Sequence, residues 1–198
     1  TALADRAGEL QLECEKAPPY HVLSTPRFPA QDLSRAATLA RAADIFYTQR
    51  RAVTRFLSIL APLKLKASQF LQDFAAFLEN PALQKASGVT APLASCPAES
   101  ITHREAEALQ LAFLAVKYRE KGKAYLETLV KNVVALNGAW TRALAEGEES
   151  TLDLSWNPED LFSGDSLDLE YFQENAYMEK CRVRIFPTAE GPDYSIFS

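Results

Sequence analysis

The residues that could carry chemistry are few, and their spacing decides what each can do. His21 and His103 are the only histidines, and neither stands at short spacing from a cysteine or the other histidine, so a metal site is not supported. His103 follows Thr102 at the start of a helix and is expected to be solvated. The cysteines at 14, 96 and 181 are an odd number separated by more than eighty residues. That spacing suits neither a disulfide scaffold nor a clustered zinc or iron–sulfur site, and it predicts reduced thiols in a cytoplasmic protein. A serine or cysteine nucleophile needs a positioned base, and two isolated histidines with no GxSxG segment do not provide one. The glycines are scattered singly, without a phosphate-cradling loop. Asp153, Glu159, Asp160, Asp165, Asp168, Glu170 and Glu174 lack the alternation of a calcium loop and read as a solvated acidic face. No residue is therefore assigned a catalytic, cofactor-binding or metal-binding role.

One stretch departs from this pattern. Ile45 to Gln72 contains no acidic residue, yet carries Arg50, Arg51, Arg55, Lys64 and Lys66. Arginines beside Tyr47 on a helix suit a carboxylate or an acidic partner surface, because the guanidinium fork matches a carboxylate in two places. The competing explanation is that they pair with the chain's own excess of acids or lie over apolar neighbours. Tyr20, His21, Tyr47, Arg50, Arg51 and Arg55 are the interface or anion-binding candidates.

The elements that must position these residues are mostly helical. Leu10–Glu15 alternates like a short strand, and Pro18, Pro19, Pro26 and Pro29 then force an extended connector. Leu33, Ala36, Ala37, Ala40, Ala43 and Tyr47 recur at helical spacing, and the small side chains predict close approach to another helix. A break is expected near Thr48-Gln49, with the pattern resuming through Val53, Phe56, Leu57 and Leu60 until Pro62. Ser68 is placed to cap a helix whose buried stripe is Phe70, Leu71, Phe74, Phe77 and Leu78. Residues 81–100 read as a loop. Thr102 and Glu105 form a capping box ahead of Leu109, Phe113, Val116, Leu114 and Tyr118. Past Gly122 the stripe Leu126, Leu129, Val133, Leu136, Trp140 and Leu144 predicts a further buried helix.

After Glu146 the period changes to two. Leu152, Leu154 and Trp156, then Cys181, Val183 and Ile185, then Tyr194–Phe197 predict strands, with a turn at Gly191-Pro192-Asp193 and a short helix around 167–177. The fold class expected is mainly α: an antiparallel helical bundle with a small antiparallel β element near the C-terminus. Three regions are expected: a connector over 1–29, the bundle over 30–146 and a C-terminal extension over 147–198.

The chain has 198 residues, 47% of them hydrophobic, which is ample for a core. A formal net charge of −5, with no basic stripe interleaved with aromatics, argues against nucleic acid as a partner. No apolar stretch approaches the ~20 residues that span a bilayer. Thr1–Ala7 reads as the last turns of a helix and Met178 is the only methionine, so the sequence reads as an excised piece of a longer protein or a chain with a processed N-terminus.

Pro18-Pro19-Tyr20-His21-Val22-Leu23-Ser24-Thr25, the helix from 30 onward, and Ala43-Asp44-Ile45-Phe46-Tyr47-Thr48 through Phe56-Leu57 resemble the C-terminal region of cobalamin-binding-domain radical SAM proteins. In that family a domain of unknown function follows the barrel, and a proline-proline-tyrosine-x-valine-leucine segment marks the exit. The resemblance covers roughly residues 1–80. It departs at Thr48-Gln49-Arg50, where Asn-Ser-Gly is usual. The resemblance implies a parent Fe–S oxidoreductase that binds a 4Fe–4S cluster, S-adenosylmethionine and cobalamin in an upstream domain of the same polypeptide. The CxxxCxxC and DxHxxG segments that hold the cluster and the cobalamin have no counterpart here, so no cofactor is expected in this chain. The expected role is a non-catalytic accessory domain that covers the barrel or shapes substrate access. The alternatives are a stand-alone helical module that binds protein or ligand through the basic segment 50–66, and an enzyme whose carboxylates and tyrosines meet only on folding.

Overall fold

The computed structural model describes residues 5–17, 21–49, 51–80, 82 and 97–197. Pro18-Pro19-Tyr20, Arg50, Cys96 and most of the loop expected over 81–100 lie outside the described residues. The chain divides into two compact units, Thr1–Arg41 and Ala42–Ser198.

In the first unit, β1 (Glu13–Cys14) pairs antiparallel with β2 (Val22–Ser24). The alternating stretch thus yields a strand only at its end, because Gln11 adopts a left-handed φ of 52° and turns the chain. Ser24 Oγ donates to Glu13 Oε2 at 2.6 Å, and Thr25 Oγ1 accepts from the Phe28 amide in a tight turn ahead of Pro29. Helix α1 (Ala30–Phe46) follows, with Asp32 in its first turn. Ala36, Ala37 and Ala40 are exposed, not packed as the spacing predicts. A methyl group has little apolar area to hide, and alanine's helix propensity sustains the element without burial.

In the second unit α1 delivers Ala42, Ile45 and Phe46 to the core and stops. Its break falls where the sequence predicts, with Gln49 in the left-handed region at φ 55°. Helix α2 (Phe56–Leu60) runs into a 3₁₀ turn, Ala61–Leu63, that contains Pro62. Helix α3 (Ala67–Glu79) begins after Lys66, so Ser68 lies inside the first turn and caps nothing. Phe46, Phe56, Phe70, Phe74, Phe77 and Phe113 make edge-on ring contacts, 4.9–6.3 Å between centroids, that form the centre of the core.

Helix α4 (His103–Glu120) opens with the capping box complete: Thr102 accepts from the Glu105 amide and Glu105 accepts from the Thr102 amide. Gly122, at φ 68°, turns the chain toward a 3₁₀ segment and helix α5 (Glu127–Glu146), and the two helices pack together. Gly147, left-handed at φ 66°, ends α5. Strand β3 (Ser150–Leu154) then pairs antiparallel with β4 (Cys181–Thr188), and β4 with β5 (Gly191–Phe197). The hairpin turn is Ala189-Glu190, two residues earlier than expected, and Gly191-Pro192 opens the last strand. Val183 and Ile185 face the core while Arg182 and Arg184 point outward, and the sheet packs on α5. Between β3 and β4 come α6 (Pro158–Phe162), a 3₁₀ turn Gly164–Leu167, and α7 (Leu169–Asn175). The fold is about 57% helical with a small antiparallel sheet near the C-terminus. No helix of the described residues is long and apolar enough to cross a membrane.

Candidate functional site

The acid-free segment does not present one basic surface. Arg51 is 5% exposed and its guanidinium goes to the end of α1, donating to the carbonyls of Asp44 and Ile45 at 3.3 Å and to Ile101 at 2.5 Å. Gln110 Nε2 takes the Phe46 carbonyl at 2.6 Å. The last carbonyls of a helix have no intrahelical partner, and Arg51 and Gln110 supply what the broken helix lacks. Tyr47 packs edge-on against Phe56 at 5.1 Å. Lys64 and Lys66 are exposed. His21, in the first unit, is exposed, with its Nδ1 3.0 Å from Glu15 Oε2. Tyr20 and Arg50 lie outside the described residues.

Arg55 differs from all of these. Asn137 Nδ2 donates to the Arg51 carbonyl at 2.7 Å, and Thr54 Oγ1 donates to Asn137 Oδ1 at 3.1 Å, pinning this turn to α5. The turn holds Arg55 at the N-cap of α2, half-buried. Nη1 donates to Ser166 Oγ at 2.7 Å and Nη2 to the Leu161 carbonyl at 2.6 Å. Both acceptors are neutral. Burial holds the guanidinium below its ordinary pKa, and among the described residues no acidic group offsets that cost.

Beside Arg55 lies an open groove of about 690 Å³. Its floor is one face of α5, Val133, Leu136, Trp140 and Leu144, which continues the stripe that leads into the core. Val53 forms one wall, and Leu161, Phe162 and Leu167 form the other. Trp140 and Phe162 meet edge-on at 4.9 Å. Val53, Leu144, Phe162 and Leu167 are between 40% and 54% exposed, so this apolar rim faces solvent in the second unit. Of the residues that line the groove, Arg55 alone carries a charge. The opposite wall escapes the sequence reading, although Asn157-Pro158 signals it: Asn157 Oδ1 caps α6 by accepting from the Glu159 amide, with Pro158 at the first position.

A second buried arginine provides contrast. Arg142 on α5 is 3% exposed on its side chain, pairs with Glu107 of α4, and lies 3.2 Å from Glu148. His103 sits nearby with 13% of its side chain exposed and Nδ1 buried, not solvated as its position suggests. Burial, together with Arg51 and Arg142, outweighs Glu146 and holds its imidazole below 6.5. Among the described residues, no three metal-ligating side chains come together. Comparison with protein-family models, curated proteins and solved structures returns no match to this chain.

Proposed function

We propose that this chain is a non-catalytic C-terminal accessory domain of a larger cobalamin-binding radical SAM enzyme of the Fe–S oxidoreductase type, and that its groove is the part that contacts substrate. The observation that carries the contact role is the apolar groove whose one charged residue, Arg55, has no acidic partner among the described residues. The parentage is supported by the resemblance of residues 18–25 and 30–57. On this reading the helices of 30–146 form an antiparallel bundle, 1–29 is the exit segment of the upstream domain, and 147–198 is an extension that completes the groove wall. The upstream domain of the same cytoplasmic polypeptide holds the 4Fe–4S cluster, S-adenosylmethionine and cobalamin. The task of the accessory domain is to cover one end of the barrel, exclude water from a radical intermediate and select what enters.

The reading frame that encodes Thr1 tests the parentage. It is expected to continue upstream through a CxxxCxxC segment, and a frame without one overturns the assignment. In that event a stand-alone ligand-binding module is the reading that the groove favours, since every lining residue belongs to the second unit. Its basic residue in use is Arg55, not the whole segment 50–66.

A further inference from the structure

The groove is large enough for a small molecule, since such sites enclose roughly 300–1,000 Å³. Its chemistry has two parts. The lining is aliphatic and aromatic, and the exposed rim of Val53, Leu144, Phe162 and Leu167 leaves apolar area in water that an apolar body would cover. Arg55 supplies the polar part. A guanidinium has five N–H donors, and two of Arg55's are committed, to Ser166 Oγ and the Leu161 carbonyl. The Nε–H and one N–H on each terminal nitrogen remain uncommitted among the described residues. Those two acceptors also fix the fork in place, so a ligand need not pay to order it.

Charge selects the anion. The lining holds one positive charge and no negative one. A monocarboxylate balances it and matches the guanidinium geometry, whereas a phosphate monoester, with close to two charges, would leave one buried without a counter-charge. The side chains of Thr54, Asn137 and Ser163 are already engaged: Thr54 donates to Asn137, Asn137 to the Arg51 carbonyl and Ser163 to the Asp160 carbonyl.

We infer that the groove between α5 and α6 is a binding site for a monocarboxylate borne on an apolar body, with Arg55 as the carboxylate anchor and Trp140, Leu144 and Phe162 as the apolar contact. This rests on the contact role proposed above and names the ligand class that the groove admits. It does not depend on the parentage.

Isothermal titration calorimetry of the 198-residue chain with decanoate, 1-decanol and decyl phosphate, all below their aggregation limits, tests it. Decanoate is expected to bind at one site, at least tenfold more tightly than decanol and no more weakly than decyl phosphate. Arg55→Gln should weaken decanoate by tenfold or more and leave decanol unchanged. Should Arg55→Gln not fold, the exposed Leu144 provides a second pair: Leu144→Glu should weaken decanoate more than decanol, and Leu144→Lys should weaken decanol more than decanoate. No binding of decanoate, equal binding of acid and alcohol, tighter binding of the phosphate, or equal effects of Leu144→Glu and Leu144→Lys on decanoate would each overturn the site. A CxxxCxxC frame with no decanoate binding removes the site and keeps the parentage; binding without that frame does the reverse.

Discussion

Arg142 is buried and Arg55 half-buried, and the two sit in opposite company. Arg142 lies between α4 and α5 with Glu107 and Glu148 around it, so its charge is balanced within the fold. Arg55 lies beside the groove with a serine hydroxyl and a carbonyl, so its charge is not. A charge taken out of water costs free energy unless it is paired and hydrogen-bonded, and Arg55, unlike Arg142, meets only neutral acceptors among the described residues. The first arginine serves stability. The second is placed for something from outside.

The comparison can be broken hardest at Arg142. Arg142→Leu strands the Glu107 carboxylate, which burial already pushes above its ordinary pKa. The expected loss is about 3–5 kcal/mol in urea unfolding, and a loss under about 1 kcal/mol would show that the network does not hold the helices together.

Gly138 makes the same point through shape. A Cβ there would run into the Glu107 carboxylate, so any side chain at 138 must push aside the end of Glu107 that pairs with Arg142. Glycine to alanine in an exposed helix gains about 1 kcal/mol. Here the sign reverses, and Gly138→Ala should cost about 1–2 kcal/mol as the ion pair is pushed apart. In a Glu107→Ala background the same change should cost nothing further, which a double-mutant cycle reads directly.

Arg55→Gln should be milder than either. It gives up two hydrogen bonds to neutral acceptors but relieves an uncompensated charge, so unfolding free energy should change by less than about 1.5 kcal/mol. A loss as large as that of Arg142→Leu would mean that Arg55 is a structural clamp.

The smallest effect is in pH. The folded His103 imidazole titrates below 6.5, so the unfolded chain binds a proton just under that value that the folded chain refuses. Stability from this group is complete above 6.5 and declines as pH falls through it toward the folded value. His103→Gln should flatten that part of the stability–pH curve, and an unchanged slope would place the titrating group elsewhere.

Local signals were legible where one residue type has one use. Thr102 with Glu105 and the alternation over 181–185 specify a cap and a strand without help from distant parts of the chain. The α5 stripe was legible as a face but not as to what covers it. Val133, Leu136, Trp140 and Leu144 look like core in sequence, and Val133 and Leu136 are buried. Yet the face ends at the exposed Leu144 in an open groove that the 161–167 segment meets at Trp140 but does not cover. The same blindness affects Val53 and Leu57, which are helical in spacing and exposed in fact. Arg51 and Arg55 cannot be told apart by spacing or neighbours. Only the position of the α1 break, with its unpaired carbonyls, decides that one fills the interior while the other faces the groove.

The central claim is that Arg55, alone among the described arginines of the second unit, is held ready for an external carboxylate. Arginine Nε–H resonances followed by NMR during a decanoate titration read that claim residue by residue. Arg55 is expected to shift with saturation at one equivalent while Arg51 and Arg142 stay fixed. Shifts of comparable size at all three, or none at Arg55, would contradict it.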